Sequence, residues 1–560
     1  MRSGSFRPVL FLVPAILLAQ QPSERPPEKA SIEGFVVKAG TGEPVRKARL
    51  SLQKAEGRQG PFASHSAVTD AAGHFVIHNI EPGRYRLWTE RTGYVRQEYG
   101  QRSPSPTRPG TPLALDRGQH LHDIVFRLVA NAVITGRVVD EDREPVPNAR
   151  VQAMRHSYAQ GRRQLMPVGM ATTNDLGEYR LHSLAPGRYY ISAMYSRGGF
   201  GDFIVSTPET TGPSVTAAPE ERYTATYYPG AVDPNAAVAV EAFAGNEVRG
   251  IDINLQLVRV VSVRGRVMLA GGQPARTATV NLWPRDAGLG FMLDGPARMR
   301  SGLGFFELLD VRPGSYYLNA QLNEEGKRYS ARAPLDVGNS NIENLELILT
   351  PGFDLPGRIR IEAGARAQLD QLTVFLQRQD SLSFSAEGRT KADGSFVLQG
   401  VTRGTYWVGL SGTPADLYLK SARLGDDDVL DAGLDLSRAE APPGPLDLVL
   451  SSGAGQVEGV VLDEKDKPAA GAQVVLIPES RRRTRTLLYQ SAVTDQNGRF
   501  VLRGVPPGEY KLFAWEDVEP GAYQDPEFLK PYEARGETCK IQPGSSQTVP
   551  LKLIPAGGAP

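Results

Sequence analysis

The stretch SAVTDQNGRFVLRGVPPGEYKLFAW (491–515) decides how this chain folds. In its TDQNG segment, short polar side chains that bond to nearby backbone precede a glycine that tolerates positive φ, so a tight turn is expected. Phe500 and Leu502 then recur at the period of two that marks a half-buried strand. The VPPG segment cannot continue that strand, because its prolines lack N–H donors. Tyr510 and Leu512 share one face of a second strand, and we therefore expect a β-hairpin.

The same pattern is present four more times in the chain. It occurs as TDAAGHFVIHNIEPGRYRLW from Thr69, TNDLGEYRLHSLAPGRYYIS from Thr173, SGLGFFELLDVRPGSYYLN from Ser301 and KADGSFVLQGVTRGTYWVG from Lys391. The turn glycines, which are 104, 127, 90 and 104 residues apart, are Gly83, Gly187, Gly314, Gly404 and Gly508. This period suits one autonomous sandwich domain and far exceeds a solenoid repeat of roughly 20 to 50 residues. Five copies of one hairpin predict five copies of one domain.

We therefore expect an all-β chain, a tandem array of five Ig-like or transthyretin-like antiparallel β-sandwich domains with about seven short strands each. The abundance of glycine (59) and proline (43) in the 560 residues suits such turn-rich structure. The predicted division is a signal peptide at 1–20, a linker at 21–30, repeat one at 31–130, repeat two at 131–260 with a loop insertion at 202–221, repeat three at 261–351, a divergent repeat four at 352–452 and repeat five at 453–556.

Each repeat opens with a strand that has a glycine inside it, which usually marks a bulge or a close approach of another backbone. These glycines are Gly34, Gly136, Gly265, Gly357 and Gly459. Repeat four also carries a predicted helical piece around residues 426–438. Its DDD run (426–428) is typical of a solvated helix start, and calcium ligation is the alternative, although an oxygen cage needs ligands spaced around a turn.

The N-terminal segment MRSGSFRPVLFLVPAILLAQQ places two arginines before an apolar run that is too short to span a bilayer. This layout predicts a secretory signal peptide, with a retained membrane anchor as the alternative. We expect the mature chain to be exported (periplasmic, cell-surface or secreted) and to lack a transmembrane segment. Cys539 is the only cysteine, so each domain must be stable without an intrachain disulfide.

The charges of the chain nearly cancel to a net +1, so no overall field favours nucleic acid, and no nucleic-acid partner is expected. The basic run RRRTR (481–485) is predicted to be a solvated hairpin loop, with an anionic partner as the alternative.

Motifs of known catalytic chemistry are missing from the sequence. There is no H-E-x-x-H and no G-x-S-x-G. His74 and His78 are four apart on a predicted strand, about 13 Å at 3.3 Å per residue, and cannot share a metal. His120 and His122 share a face but lack a third ligand. Cys539 has no histidine in its own repeat. We expect no catalytic residue, cofactor or metal site.

The best binding feature is aromatic and lies on the second strand of the hairpin. Five tyrosines on its inner face are predicted to be core: Tyr85, Tyr189, Tyr316, Tyr406 and Tyr510. The opposite face carries the candidate ligand contacts, which are Trp88, Tyr190, Tyr317, Trp407 and Trp515. Flat aromatics on a sheet suit stacking with sugar rings and also protein contacts. The alternative is that a loop or a neighbouring domain covers them.

The opening G-x-V, the turn with proline before a small-residue strand, T-D-x-x-G-x-[FY] and P-G-x-Y resemble the carboxypeptidase regulatory-like domains. These are transthyretin-like or Cna-B-like sandwiches grouped with carbohydrate-binding-like folds. Repeats one, two and five match well, three fairly, and four only in its hairpin. In the namesake enzymes this domain is an appendage to a zinc peptidase, and no peptidase domain is present here. The resemblance therefore implies a fold and supplies no activity.

Some Cna-B-like domains cross-link themselves through an isopeptide bond between a lysine and an Asn or Asp. Lys38 and Asp123 are the nearest fit in this sequence, and the other repeats lack the lysine.

We expect a non-enzymatic scaffold, adhesion or binding protein with an unknown protein or polysaccharide partner in the cell envelope. A carbohydrate-binding protein that uses the outward aromatics is one alternative. An accessory subunit of a secreted hydrolase is another.

Overall fold

The computed structural model describes residues 29–55, 65–101, 108–159, 161–195, 220–285, 298–299, 304–362, 368–379, 384–439, 441 and 444–557. The expected all-β class is confirmed, since short strands in facing sheets dominate these residues. The predicted signal peptide, residues 21–28 of the linker and residues 202–219 of the loop insertion lie outside the described residues. No helix in the described part of the chain is long and apolar enough to cross a membrane.

Repeat one contains β1 (Ala30–Lys38), β2 (Arg49–Lys54), β3 (His65–Val68), β4 (His74–Ile80), β5 (Gly83–Glu90), β6 (Gln97–Glu98), β7 (Leu113–Leu115) and β8 (His120–Leu128). In the first sheet, β1 lies between β4, which is antiparallel to it, and β8, which is parallel. The second sheet has the order β3-β2-β5-β6, with β7 also on β5. Buried residues of both sheets, such as Phe75 and Tyr85, belong to one core.

Repeat two contains β9 (Ala132–Val139), β10 (Arg150–Ala159), β11 (Arg162–Thr172), β12 (Glu178–Leu184), β13 (Gly187–Met194), β14 (Glu220–Tyr223), β15 (Thr226–Tyr227), a 3-10 helix (Pro234–Ala236), β16 (Val240–Ala242), β17 (Glu247–Val248) and β18 (Ile253–Asn254). Strand β9 pairs antiparallel with β12 and parallel with β17 and β18. The facing sheet has the order β11-β10-β13-β15. Its long β10–β11 hairpin carries Tyr158 near the tip.

Repeat three contains β19 (Leu257–Leu269), β20 (Thr279–Pro284), β21 (Arg298–Met299), β22 (Phe305–Val311), β23 (Gly314–Glu324), β24 (Lys327–Val337) and β25 (Ile342–Pro351). Here β24 pairs with β25, so the strands form one continuous sheet of order β20-β23-β24-β25-β19-β22-β21, with β14 joined to β19. The sheet curls around its core, since Val263 of β19 and Leu318 of β23 belong to the same buried cluster.

Repeat four contains β26 (Phe353–Ile361), a 3-10 helix (Leu369–Gln371), β27 (Thr373–Arg378), β28 (Phe384–Arg389), β29 (Ser395–Val401), β30 (Thr405–Ser411), β31 (Leu417–Leu424), β32 (Asp427–Asp428), β33 (Leu434–Asp435) and β34 (Leu446–Ser452). The predicted helical piece at 426–438 is wrong, because β32, turns and β33 occupy that segment. Gly425 and Gly433 adopt positive φ there, and the Asp428 carboxylate accepts from the Leu430 N–H, which favours turns over a helix.

Repeat five contains β35 (Gly455–Leu462), β36 (Gln473–Pro478), β37 (Gln490–Val493), β38 (Arg499–Val505), β39 (Gly508–Trp515), β40 (Glu537–Ile541), β41 (Ser546–Thr548) and β42 (Leu551–Lys552). Its 3-10 helices are Ser480–Arg482, Thr486–Leu488, Ala522–Gln524 and Lys530–Arg535, and its α-helix, α1, is Pro526–Leu529. The sheets have the orders β38-β35-β41 and β37-β36-β39-β40. We call the helical segment 522–535 the strap.

The two strands of the recurring motif do not pair with each other, so the predicted hairpin is wrong. In repeat five, β38 pairs with β35 in one sheet, whereas β39 pairs with β36 in the other. The other four repeats follow the same rule. Phe500 and Tyr510 thus enter one core from opposite sheets. The Pro-Gly segment is an arch between the two layers, and we call the motif the arch.

The glycine inside each opening strand lies against the backbone of the closing strand, as predicted. A Cβ on Gly34 would lie 1.9 Å from the Ile124 carbonyl oxygen, and one on Gly459 would lie 2.0 Å from that of Val549. A Cβ on Gly136 would meet the Ile251 carbonyl between β17 and β18, one on Gly265 would meet that of Leu345 in β25, and one on Gly357 would meet both the Phe396 ring and the Leu446 carbonyl of β34. Four large buried clusters each fall within one predicted repeat, and a fifth combines repeat one with Ala30 of the predicted linker. The division into five domains at the stated boundaries remains a prediction.

Candidate functional site

The inward tyrosine of every arch is buried, as predicted, and fixes the arch by a hydrogen bond. Its hydroxyl donates to the backbone carbonyl oxygen four residues earlier. The distances are 2.8 Å from Tyr85 to Glu81, 3.0 Å from Tyr316 to Arg312, 2.6 Å from Tyr406 to Thr402 and 2.9 Å from Tyr510 to Pro506, and Tyr189 donates to Ala185. Burial raises the pKa of Tyr510 to about 12. These tyrosines hold the backbone and are not available to a ligand.

The T-D-x-x-G turn is held in a similar way. The Thr494 hydroxyl is buried, accepts from the Ala472 N–H at 2.8 Å and donates to the Ala469 carbonyl at 2.7 Å. The Asp495 carboxylate accepts from two backbone N–H groups of the turn. Gly498 has φ of 71°. The residues that recur between repeats therefore build the fold, and any site must lie among residues that vary.

Two of the predicted outward aromatics are partly covered by their own repeats. Trp88 is half-buried, and the Arg96 guanidinium lies 4.7 Å from the centre of its ring. Tyr190 is half-buried as well, and its ring meets that of His156 edge to face at 4.9 Å. Tyr190 also packs against a small cluster around Tyr227.

Tyr317 and Trp407 are also half-buried. The Arg332 guanidinium lies 4.0 Å from the centre of the Tyr317 ring. Trp407 lies opposite Gln377 on the neighbouring strand. Its ring lies close to Gly433, since a Cβ added to that glycine would be 3.2 Å from the ring.

Trp515 is buried at 2 % exposure, so its predicted place on an open outward face is wrong. Its ring stacks on Phe513 with centroids 5.0 Å apart and planes at 11°. Tyr523, Phe528 and Tyr532 of the strap pack over it from the other side. The residue lies on the outer face of its sheet as the alternation predicts, but the strap covers that face.

An exposed aromatic of repeat three was missed by sequence reasoning. Trp283 is 39 % exposed and lies directly opposite Tyr317 on the adjacent strand β20. Its position was the signal that could have identified Trp283. The segment NLWP (281–284) ends β20, and the strand at this place in each repeat pairs with the second strand of the arch.

Repeat five contacts repeat one. The Gln496 side chain donates to the Ala114 carbonyl at 2.8 Å and accepts from the Ala114 N–H at 3.0 Å. Arg108 forms an ion pair with Asp517. These residues are more than 380 positions apart in the chain.

Repeat five also contacts repeat two. The ring of Tyr158, near the tip of the β10–β11 hairpin, lies edge to face on Phe528 of the strap at 6.2 Å. At the same tip, a Cβ on Gly161 would lie 2.6 Å from the Gln524 carbonyl oxygen, so only glycine fits this approach. Tyr158 therefore completes the aromatic cluster that surrounds Trp515.

The basic run of repeat five contacts repeat four, so its prediction as a solvated loop is wrong for most of its arginines. Arg482 pairs with Asp431 at 3.3 Å, and Arg485 pairs with the same carboxylate while only 7 % of its side chain is exposed. Burial lowers the pKa of Arg485. Arg483 pairs with Glu533 of the strap at 2.5 Å. The run joins two repeats and anchors the strap.

The histidines of repeat one lie near one carboxylate. Glu33 is 2.9 Å from His74 and 3.6 Å from His122, and the hydrogen bond with His74 is the main cause that lowers its pKa. His120 bonds Ser31 at 2.6 Å. Within the described ranges, no three His, Cys, Asp or Glu side chains form a group that could hold a metal ion.

The remaining reactive candidates are engaged locally. Lys38 pairs with Glu43 at 2.6 Å and lies beside Leu128, whereas Asp123 lies near the other end of β8, so the structure does not bring the isopeptide pair together. Cys539 is buried and donates to Gln547 at 3.0 Å. Burial raises the pKa of its thiol.

Comparison with protein families agrees with this geometry. The model of the carboxypeptidase regulatory-like domain matches residues 31–122, 133–226 and 456–524. Repeats one, two and five are thus each similar to this domain along most of their length. In each of the three the matched segment contains the complete arch. No curated protein matches the chain.

Solved structures similar to the chain include pilins. The minor pilin GBS52 of Streptococcus agalactiae is 11 % identical, with 41 % of this chain and 96 % of that chain covered and a TM-score of 0.23. The shaft pilin SpaA of Lactobacillus rhamnosus GG is 12 % identical, with 42 % and 100 % covered and a TM-score of 0.17. The major pilin BcpA of Bacillus cereus is 10 % identical, with 57 % and 99 % covered and a TM-score of 0.14. Scores this low carry no argument about function.

Proposed function

We propose that this protein is an exported, non-catalytic scaffold that holds five β-sandwich domains in a closed arrangement and presents their faces to a protein or polysaccharide of the cell envelope. The observation that carries the proposal is the set of contacts made by repeat five. It contacts repeat one through hydrogen bonds of Gln496, repeat two through the ring of Tyr158 and repeat four through the ion pair of Arg485.

The use of the outward aromatics supports this function. Trp515 lies under the strap, and Tyr158 of repeat two packs against the same cluster. In repeat five the variable face of the arch thus serves assembly. Buried aromatic contacts of this kind are the main energetic anchors of stable interfaces.

Export is supported by the layout of residues 1–20, where two arginines precede a short apolar run. A non-catalytic role is supported by the residues that recur in the arch. Their polar atoms form hydrogen bonds with the backbone and therefore serve the fold. An accessory role beside a separate hydrolase remains compatible with these observations and would require a partner enzyme.

A capture experiment tests the scaffold. The purified chain without residues 1–20 is immobilised and exposed to an envelope extract, in parallel with a Gln496→Ala, Asp517→Ala double variant. We expect a specific partner to be retained by the native chain and lost from the double variant, because the closed arrangement positions the binding faces. A Lys552→Ala variant, which removes an exposed ion pair with Asp466 inside repeat five, serves as the control.

Turnover of peptides or glycans by the purified chain would contradict the proposal. Equal retention of the partner by the native chain and the double variant would also contradict it, since the arrangement of the repeats would then be irrelevant.

Carbohydrate recognition by all five predicted aromatics is not favoured, because Trp515 is buried and Arg96 lies over Trp88. The exposed Trp283 favours carbohydrate binding at a single repeat, repeat three.

A further inference from the structure

The outer face of the three strands β20, β23 and β24 in repeat three presents ordered rows of side chains. Register places Trp283, Tyr317 and Pro334 side by side across the strands. Directly opposite residues have Cβ atoms about 4.5 to 5.5 Å apart, so these three form one continuous apolar row. Trp283 and Pro334 are exposed and Tyr317 is half-buried.

Polar rows flank the apolar row on both sides. On one side lie Arg285, Ser315 and Asp336, with Arg285 3.4 Å from Asp336. On the other side lie Asn281, Asn319 and Arg332. The next row is also polar and consists of Thr279, Gln321 and Ser330. Apart from the central row, these positions carry amides, hydroxyls and charged groups and no aliphatic side chain.

The face is held rigidly. Strands β23 and β24 pair over eleven residues each, and the tip of their hairpin bonds to the next repeat, where the Gly352 N–H donates to the Arg328 carbonyl at 2.6 Å. A Cβ on Gly400 of repeat four would lie 3.1 Å from Arg328, so the two repeats touch. A ligand on this face would meet a preorganised surface, which lowers the entropic cost of binding.

We propose that this face binds an acidic polysaccharide, a glycan chain with carboxylate-bearing pyranose rings. Trp283 supplies a ring on which the C–H face of a sugar stacks, since aromatic rings carry a negative face and a large apolar area. The amides of Asn281 and Asn319 both donate and accept, as sugar hydroxyls require.

The charges on the face favour an acidic glycan over a neutral one. The face carries two guanidinium groups, those of Arg285 and Arg332, and one carboxylate, that of Asp336, which pairs with Arg285. Arg332 lies next to the aromatic row, with its guanidinium 4.0 Å from the Tyr317 ring centre. Its planar fork suits a sugar carboxylate, with which it forms two parallel hydrogen bonds.

Affinity electrophoresis of the full mature chain tests the proposal. Native gels contain polygalacturonate, alginate or the neutral galactomannan as probes. We expect the acidic gels to retard the native chain, and Trp283→Ala to weaken this binding by about tenfold or more, the loss expected of an aromatic anchor. Arg332→Gln should reduce both the retardation and its dependence on salt. Trp88→Ala, which changes a half-buried outward aromatic of repeat one, should bind as the native chain does.

Four results would overturn the inference. They are no retardation in either acidic gel, retardation by galactomannan alone, equal binding by Trp283→Ala and the native chain, and capture of an envelope protein through Trp283 without polysaccharide binding. This ligand is proposed for the scaffold described above, but experiments can contradict the polysaccharide ligand and the closed arrangement independently. Binding that depends on Trp283 would persist if the repeats proved to be open, and the closed arrangement would persist if no polysaccharide bound.

Discussion

The inward tyrosine of each arch shows how one hydroxyl can fix the turn that connects two sheets. Its ring lies in the core, and its hydroxyl bonds back to the carbonyl that precedes the Pro-Gly segment. A buried carbonyl that loses such a partner costs about 1 to 3 kcal/mol. The bond therefore explains why a tyrosine stands in all five copies where phenylalanine would fill the same volume.

A Tyr510→Phe substitution tests this role. We expect it to lower the free energy of unfolding of repeat five by about 1 to 2 kcal/mol, because the Pro506 carbonyl loses its donor while the ring packing stays. Urea unfolding followed by far-ultraviolet circular dichroism, which reports on the strands of every repeat, measures the change. Tyr190→Phe, a half-buried tyrosine on the outer face of its strand, should shift stability by less than about 0.5 kcal/mol. An equal effect of both changes would contradict the account.

At the scale of residues, sequence predicted well whatever depends on local backbone. The positive φ of Gly498, the close approach at Gly459 and the inward side of Tyr510 all follow from turn chemistry and alternation. Trp515 shows what alternation along a strand cannot predict. Alternation places it on the outer face, but a segment more than six residues further along the chain covers that face.

At the scale of elements, the arch could not be distinguished from a hairpin by pattern. Both consist of two alternating strands and a Pro-Gly turn. The difference lies in the partner strands, β35 for β38 and β36 for β39, and these pairings are set by the closure of the whole core. The strap was missed for a related reason, since its helices are three to six residues long and show no extended helical period.

The strap is anchored by a charge cluster that depends on pH. Burial alone would raise the pKa of Glu533, but hydrogen bonds from Arg483 and Lys511 outweigh it, so the pKa lies below its ordinary value of 4.5. A carboxylate whose pKa is lower in the folded than in the unfolded state stabilises the fold at pH values above its unfolded-state pKa. That stabilisation is lost as the pH falls through the pKa of the folded state.

We therefore expect the strap to loosen as the pH falls below about 4.5, with a loss of Trp515 burial that fluorescence and iodide quenching report. Glu533→Gln should already show the loosened strap at pH 7, with less change on acidification. Glu509→Gln removes an exposed pair with Lys540 in the same repeat and should leave the profile of the native chain unchanged. If strap loosening follows the same pH profile in Glu533→Gln as in the native chain, then Glu533 does not anchor the strap.

At the scale of the whole molecule, the repeats contact one another beyond their order in the chain. Residues 114 and 496 exchange two hydrogen bonds, and Tyr158 reaches the strap of repeat five. No sequence pattern predicts such contacts, because each depends on one side chain at a distant position and on the angles between several domains. The run RRRTR looked like a solvated loop for the same reason, since its partner Asp431 belongs to another repeat.

We propose that repeat five closes the chain against repeats one, two and four, and small-angle X-ray scattering of the purified mature chain in solution tests this arrangement. We expect a scattering profile that fits the closed arrangement, and a larger radius of gyration and maximum dimension for a Tyr158→Ala, Gln496→Ala, Asp517→Ala variant. A native profile that fits an extended row of domains, unchanged in the triple variant, would contradict it.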